Sequence, residues 1–314
     1  MSKLKQPHEL STQVTLKTLI YGQPGLGKTT FAISAPNAVL LDFDNGVHRV
    51  RAEHQTTTLQ VNSWQDVLDA MPELKPFKTI VIDTAGKMLD YLGMHLIKGN
   101  PKLGKSNGAL TLQGYGERKA EFSRFVKTLS TMGKHIIFVA HEKEEKEGDT
   151  KYIRPEVGGS SGTDLYKELD LIGYMEAIGK KRTISFAPAE KYYAKNACGL
   201  NDVIELADLS GGAPNNLFEK QILSVYEKSL QERSEKVGEY RNLMDVVEEK
   251  VASVSDVATA NEVLVWIDEY KEHIWSSKLQ AKTLLLAKIK EIGLAVDSKT
   301  KKIVKSNEPA TATT

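Results

Sequence analysis

The chain has 314 residues, 40% of them hydrophobic and 26% charged, which is enough apolar material for one large or two ordinary packed domains. With 42 basic and 41 acidic residues the net charge is +1, so polyanion binding driven by overall charge is excluded and any basic site has to be local. A single cysteine, Cys198, excludes an internal disulfide framework. No signal-peptide core follows Met1 and no apolar run reaches membrane-spanning length, so a soluble, cytoplasmic protein without a membrane partner is expected.

Residues 1–12 are polar and read as a flexible N-terminus. Lys17–Tyr21 reads as a strand, and it runs into Gly22-Gln23-Pro24-Gly25-Leu26-Gly27-Lys28-Thr29. In this octapeptide two glycines bracket four residues ahead of Lys and Thr, the pattern of a phosphate-binding loop. Gly25 and Gly27 permit positive φ, so that backbone N–H groups can close on phosphate oxygens. Lys28 supplies a point charge for the β- and γ-phosphates, and the Thr29 hydroxyl suits Mg²⁺. Thr30 follows in the first turn of a helix over 29–34, whose N-terminus adds partial positive charge. The residues 22–30 therefore predict a nucleoside triphosphate site.

Ala38–Asp42 is an apolar strand ending in Asp42-Phe43-Asp44-Asn45-Gly46. Thr57–Val61 is a further strand, and Asn62 or Ser63 caps a helix reaching Met71. Lys78–Thr84 closes on Asp83, where a metal-organising carboxylate belongs beside Thr29. Asp42 and Asp44 leave the strand on one face; either could orient or deprotonate water, and either could equally be a polar strand end before a turn. A helix over Glu117–Thr131 carries Phe122, Phe125, Val126 and Leu129 on one face. His135–His141 is a third buried-type strand, and its terminal His141 could touch a γ-phosphate or equally be a structural histidine at a strand end.

Two loops flank these elements. Residues 98–119 are basic and glycine-rich, with Lys98, Lys102, Lys105, Arg118, Lys119 and Tyr115, which suits tracking a phosphate backbone. Residues 142–163 are Gly/Ser-rich and more acidic than basic. The runs 171–175 and 182–186 form a hairpin that closes the sheet antiparallel. Ser210–Asn215 reads as a linker. Four amphipathic helices follow, over about 217–232, 237–252, 256–273 and 278–292. Residues 296–314 read as a disordered tail. The domain expectation is thus a core over 13–210 and a helical region over 215–295. Strands alternating with helices predict an α/β fold, a mostly parallel sheet covered on both faces with an antiparallel hairpin edge.

The phosphate loop, Lys28–Ala32 leading to Ala35-Pro36-Asn37, Leu41–Gly46, Gln113–Gly116, Val139–Glu142 and Lys195-Asn196 together resemble phage RecA-like P-loop ATPases, including the RecA-core single-strand annealing proteins. The resemblance covers Leu16 to Leu206. It implies ATP and Mg²⁺ as ligands, hydrolysis with Asp44 in the general-base position, and His141 as the γ-phosphate sensor. Lys195 is matched to a Lys-x-Arg element that reaches a neighbouring subunit's ATP, with Ala197 where the arginine stands. It further implies a homo-oligomeric ring or filament, single-stranded DNA held by the 98–119 and 142–163 loops, a partner protein of phage replication or recombination, and a place in the host cytoplasm. The alternative is a helicase-loader or scaffold ATPase whose C-terminal helices bind a protein.

Overall fold

The computed structural model describes residues 15–306, apart from 149, 159, 160, 180, 210 and 211. The expected flexible residues 1–12, the tail end 307–314 and part of the 142–163 loop lie outside them. The chain divides into two units, one spanning Gln13–Ser229 and one beginning at Leu230.

The first unit is built on one ten-stranded sheet. In chain order its elements are β1 (Lys17–Gly22), α1 (Lys28–Ala32), β2 (Ala38–Asp42), β3 (Thr58–Gln60), α2 (Trp64–Ala70), β4 (Thr79–Asp83), α3 (Ala85–Gly99), α4 (Leu112–Thr131) and β5 (His135–Glu147). Next come β6 (Thr150–Pro155), α5 (Ser161–Glu168), β7 (Leu171–Ile178), β8 (Lys181–Ser185), β9 (Lys195–Asn196) and β10 (Val203–Leu206). The strand order is β10-β8-β7-β1-β5-β4-β2-β3, with β6 pairing β5 and β9 pairing β7. From β7 to β3 all neighbours are parallel, and β8 and β10 extend the β7 edge antiparallel. This is the expected α/β architecture, and it follows from short β-branched runs buried on both faces.

Alternate residues of β1 serve opposite faces. Leu19 and Tyr21 join a core that contains Trp64 of α2, Leu89 and Leu92 of α3, and Phe122 and Phe125 of α4. Leu16 and Ile20 join another, with Phe31 of α1 and Phe218, Ile222 and Leu223. That second face explains why the linker at 210–215 does not end the unit. Phe218 is buried and its ring sits 5.4 Å from that of Phe31. Phe218→Ala is expected to cost the sheet unit about 3–5 kcal/mol, read by chemical denaturation; an unchanged midpoint would mean that the 218–223 segment is not part of its core.

The second unit holds the rest of α6 (Ser224–Ala252), then α7 (Val257–Glu269), α8 (Ser277–Glu291), β11 (Leu294–Val296) and β12 (Ile303–Lys305). Three expectations are corrected here. The break between helices at 232–237 is absent, because Gln231–Val237 is uniformly helix-compatible and α6 runs through it. The unit division falls inside α6 rather than at 210–215. Residues 296–306 are not a disordered tail: β11 and β12 pair, and buried Ile303 packs with Val263, Ile267 and Leu285. Among the described residues no helix is long and apolar enough to cross a membrane.

Candidate functional site: a phosphate loop beside two carboxylates

β1 delivers Gly22 to the carboxyl-terminal edge of the sheet, flanked by Met175 of β7 and His141 of β5. A side chain at Gly22 would place its Cβ 2.1 Å from the Met175 carbonyl oxygen, so the strand can carry only glycine where the loop begins. Gly25 and Gly27 have φ of 83° and 85°, the left-handed conformation that curls the loop into a nest of N–H groups.

Lys28 is buried, and its ammonium donates to the carbonyls of Gly22 at 2.9 Å and Gln23 at 2.7 Å. Burial pushes its pKa down, against the opposing charges of Asp83 and Glu142. The Thr29 hydroxyl donates to Asp83 Oδ2 at 2.5 Å, bringing the P-loop and the end of β4 together as expected. Burial pushes the Asp83 carboxyl up, and the charges of Asp42 and Asp44 add to this; the Thr29 hydroxyl and Lys28 work against it.

A buried carboxylate beside a hydroxyl, in a locally acidic setting, fits a divalent cation. Among the described residues no group of three or more His, Cys, Asp or Glu is arranged to hold a metal ion. That donor set suits Mg²⁺, which takes one or two protein ligands and completes its octahedron with water and phosphate, and not a metal caged by protein alone. Thr29 and Asp83 would hold it, supplying charge neutralisation at the phosphates.

The structure separates Asp42 from Asp44. Asp42 is buried and accepts hydrogen bonds from the backbone N–H of Asp44 at 3.2 Å, Gly46 at 3.0 Å and Val47 at 2.9 Å. Its lone pairs are spent on shaping the turn. Asp44 instead lines the cavity with Pro24, Lys28, Thr29, Thr30, Asp83 and His141. Burial alone would raise its pKa, but the Lys87 ammonium at 2.8 Å and Arg49 at 3.3 Å outweigh it and hold the carboxyl below its ordinary value.

His141 also lines the cavity, with a buried Nδ1 that has no hydrogen-bond partner among the described residues. Lys195 is not brought here. It pairs with Ile172 at the amino-terminal end of β7, across the sheet from Gly22, and its ammonium donates to the Leu169 carbonyl.

Among the described residues, both stretches read as loops carry regular structure. The 98–119 stretch is irregular only between α3 and α4, with a short 3-10 turn over Pro101–Leu103. α3 itself has no counterpart in the sequence reading, although Leu89, Leu92 and the capping residue Thr84 mark it. Arg118 is no surface cation: it is buried, lies over the Tyr115 ring at 4.9 Å and donates to the Gly158 carbonyl at 3.4 Å. The described residues of 142–163 form the β5–β6 ribbon and the start of α5, with Lys143–Glu145 and Lys151–Glu144 ion pairs.

Sequence reasoning missed three cations at the site. Arg49 lines the cavity, Lys87 projects from the first turn of α3, and Arg182 of β8 approaches the Leu26 carbonyl at 3.5 Å. The first two stand five residues after Asp44 and four after Asp83, spacings that could have flagged them.

A comparison with curated proteins finds no match. Among solved structures, a KaiC-like protein from the hyperthermophilic archaeon Pyrococcus horikoshii is similar at a TM-score of 0.36 and 14% identity, over 62% of this chain and 90% of that one. The family described as AAA domain matches residues 15–198, more than half of the 314 residues and the whole of the phosphate site. With the P-loop, Thr29 and Asp83 all inside the matched span, the chain belongs to the AAA domain family of P-loop ATPases.

Proposed function

We propose that the protein binds and hydrolyses ATP with Mg²⁺ and couples that cycle to binding single-stranded DNA, as a homo-oligomer serving phage recombination, annealing or replication. The observation that carries the nucleotide half is the Thr29–Asp83 bond at 2.5 Å beside the buried Lys28. Asp44 receives a proton from water attacking in line at the γ-phosphate, Lys28 stabilises the charge on the phosphoryl oxygens, and His141 senses that group.

Two features support the DNA half. β5 runs without a break from His141 at the cavity to Glu147 in the ribbon, a direct mechanical link between γ-phosphate and a projecting arm. The segment after α3 exposes Lys102 and Lys105, and Leu112 at the start of α4 is 90% exposed, a basic stretch with an apolar neighbour that suits a nucleotide strand. In an oligomer with ATP at subunit interfaces, Lys195 would reach a neighbour only after releasing the Leu169 carbonyl.

Gel shifts with single- and double-stranded oligonucleotides, with and without ATP·Mg²⁺, test this reading. Single-stranded binding is expected to tighten with ATP·Mg²⁺, to weaken steeply with salt, and to fall in a Lys102→Ala/Lys105→Ala variant. Indifference to both DNAs would shift the reading to a loader or scaffold ATPase. In that alternative the second unit would offer the exposed apolar side chains of Trp275, Leu279 and Leu286 to a protein partner.

A further inference from the structure

Both oxygens of the Asp44 carboxylate are held by cations. Lys87 Nζ lies 2.8 Å from Oδ1 and Arg49 3.3 Å from Oδ2. Their origins differ: Lys87 stands in the first turn of α3, just beyond Asp83, and Arg49 ends the short turn Val47–Arg49. That turn hangs from the buried Asp42 carboxylate through the Val47 N–H, so its position is set by the same residue that shapes the Asp44 bend. Arg49 shares its cavity with Lys28, Thr29 and Asp83.

These two ion pairs are exchangeable. The Arg49 and Lys87 side chains are 67% and 55% exposed, against 19% for Asp44, and pairs so open to water are individually weak. A terminal phosphate offers more charge and three acceptor oxygens, and a guanidinium prefers it to a single carboxylate oxygen. A carboxylate neutralised by two cations is also a poor proton acceptor, so the arrangement suppresses Asp44 until something else takes the cations.

We propose that Arg49 and Lys87 form a latch that reads the γ-phosphate: without a triphosphate they clamp Asp44, and with one they turn to its terminal phosphate and free Asp44 to face water. The triphosphate-reading half rests on the proposed nucleotide site, on Arg49 lining that cavity and on Lys87 bonding the Asp44 that lines it. The release half rests on the reading of Asp44 as the water-activating residue.

The test measures affinities for ATP, a non-hydrolysable ATP analogue and ADP, each with Mg²⁺, by fluorescent-nucleotide titration, together with turnover. The proteins are the full chain, R49Q, D44N and the double variant D44N/R49Q. R49Q is expected to weaken both triphosphates roughly tenfold while leaving ADP unchanged, the scale of one lost charge-assisted bond. D44N is expected to tighten the triphosphates, and the R49Q loss is expected to grow in the D44N background, because there the arginine has no competing carboxylate.

Equal losses for ATP and ADP overturn the latch. So does additivity of the two substitutions, since simple charge repulsion between Asp44 and phosphate would be additive whereas competition for Arg49 is not. If D44N turns over ATP at the parent rate, the water-activation reading and the release half fall together; the ATP-to-ADP contrast of R49Q then decides the triphosphate-reading half alone.

Discussion

Lys28→Ala is expected to lower nucleotide affinity by about a hundredfold or more and to remove turnover, measured by calorimetric titration with ATP·Mg²⁺ and by phosphate release. Lys28 is the buried cation at the end of the loop, its ammonium held by the carbonyls of Gly22 and Gln23. Its removal takes away the charge that meets the β- and γ-oxygens. It also strips two carbonyls of their donor, which loosens the loop before any ligand arrives. A variant with parent turnover would disprove the assignment of this loop as the phosphate site.

Asp42→Ala is expected to be the more damaging change to the fold, although Asp42 touches no ligand in this scheme. Three backbone N–H groups, those of Asp44, Gly46 and Val47, point at one buried carboxylate. Hydrogen bonds to a charged acceptor are the stronger class, and partly buried donors left without one keep part of their desolvation cost, so a loss of about 2–4 kcal/mol is expected in denaturant unfolding. Asp44→Asn, by contrast, alters a partly exposed group and should leave the unfolding midpoint near that of the parent while removing turnover. The pair separates scaffold from chemistry: equal stabilities of Asp42→Ala and the parent would mean that the turn does not depend on the buried carboxylate.

These two residues show where the sequence ceases to distinguish roles. Asp42 and Asp44 are two apart on a strand end and look alike from spacing. Only the turn at Asn45-Gly46, folding back over Asp42, commits one to backbone N–H groups and leaves the other to the cavity. The chemistry of Lys28, Thr29 and the glycines was readable because those residues are consecutive, so covalent geometry already places them together. Asp83 was readable for a related reason: an apolar β-branched run closing on an acid marks a strand's carboxyl end, and parallel strands bring such ends to one edge.

Other features depended on which surfaces meet. Arg118 looked like a solvated cation within a basic loop, yet α4 turns it inward onto Tyr115 and Gly158. Lys195 belongs to a motif that suggested an ATP contact, but β9 pairs with the start of β7, and strand direction puts it at the far end of the sheet. Phe218, Ile222 and Leu223 read as the opening of a helical region and instead complete the sheet's second face. The amino-acid order alone thus determined the phosphate loop, the acid that ends β4 beside Thr29 and the alternation that makes a parallel sheet. Tertiary structure decided which carboxylate faces the cavity, which cations clamp it and where the sheet unit ends, because periodicity reveals that a face is buried or charged but not what comes to lie against it.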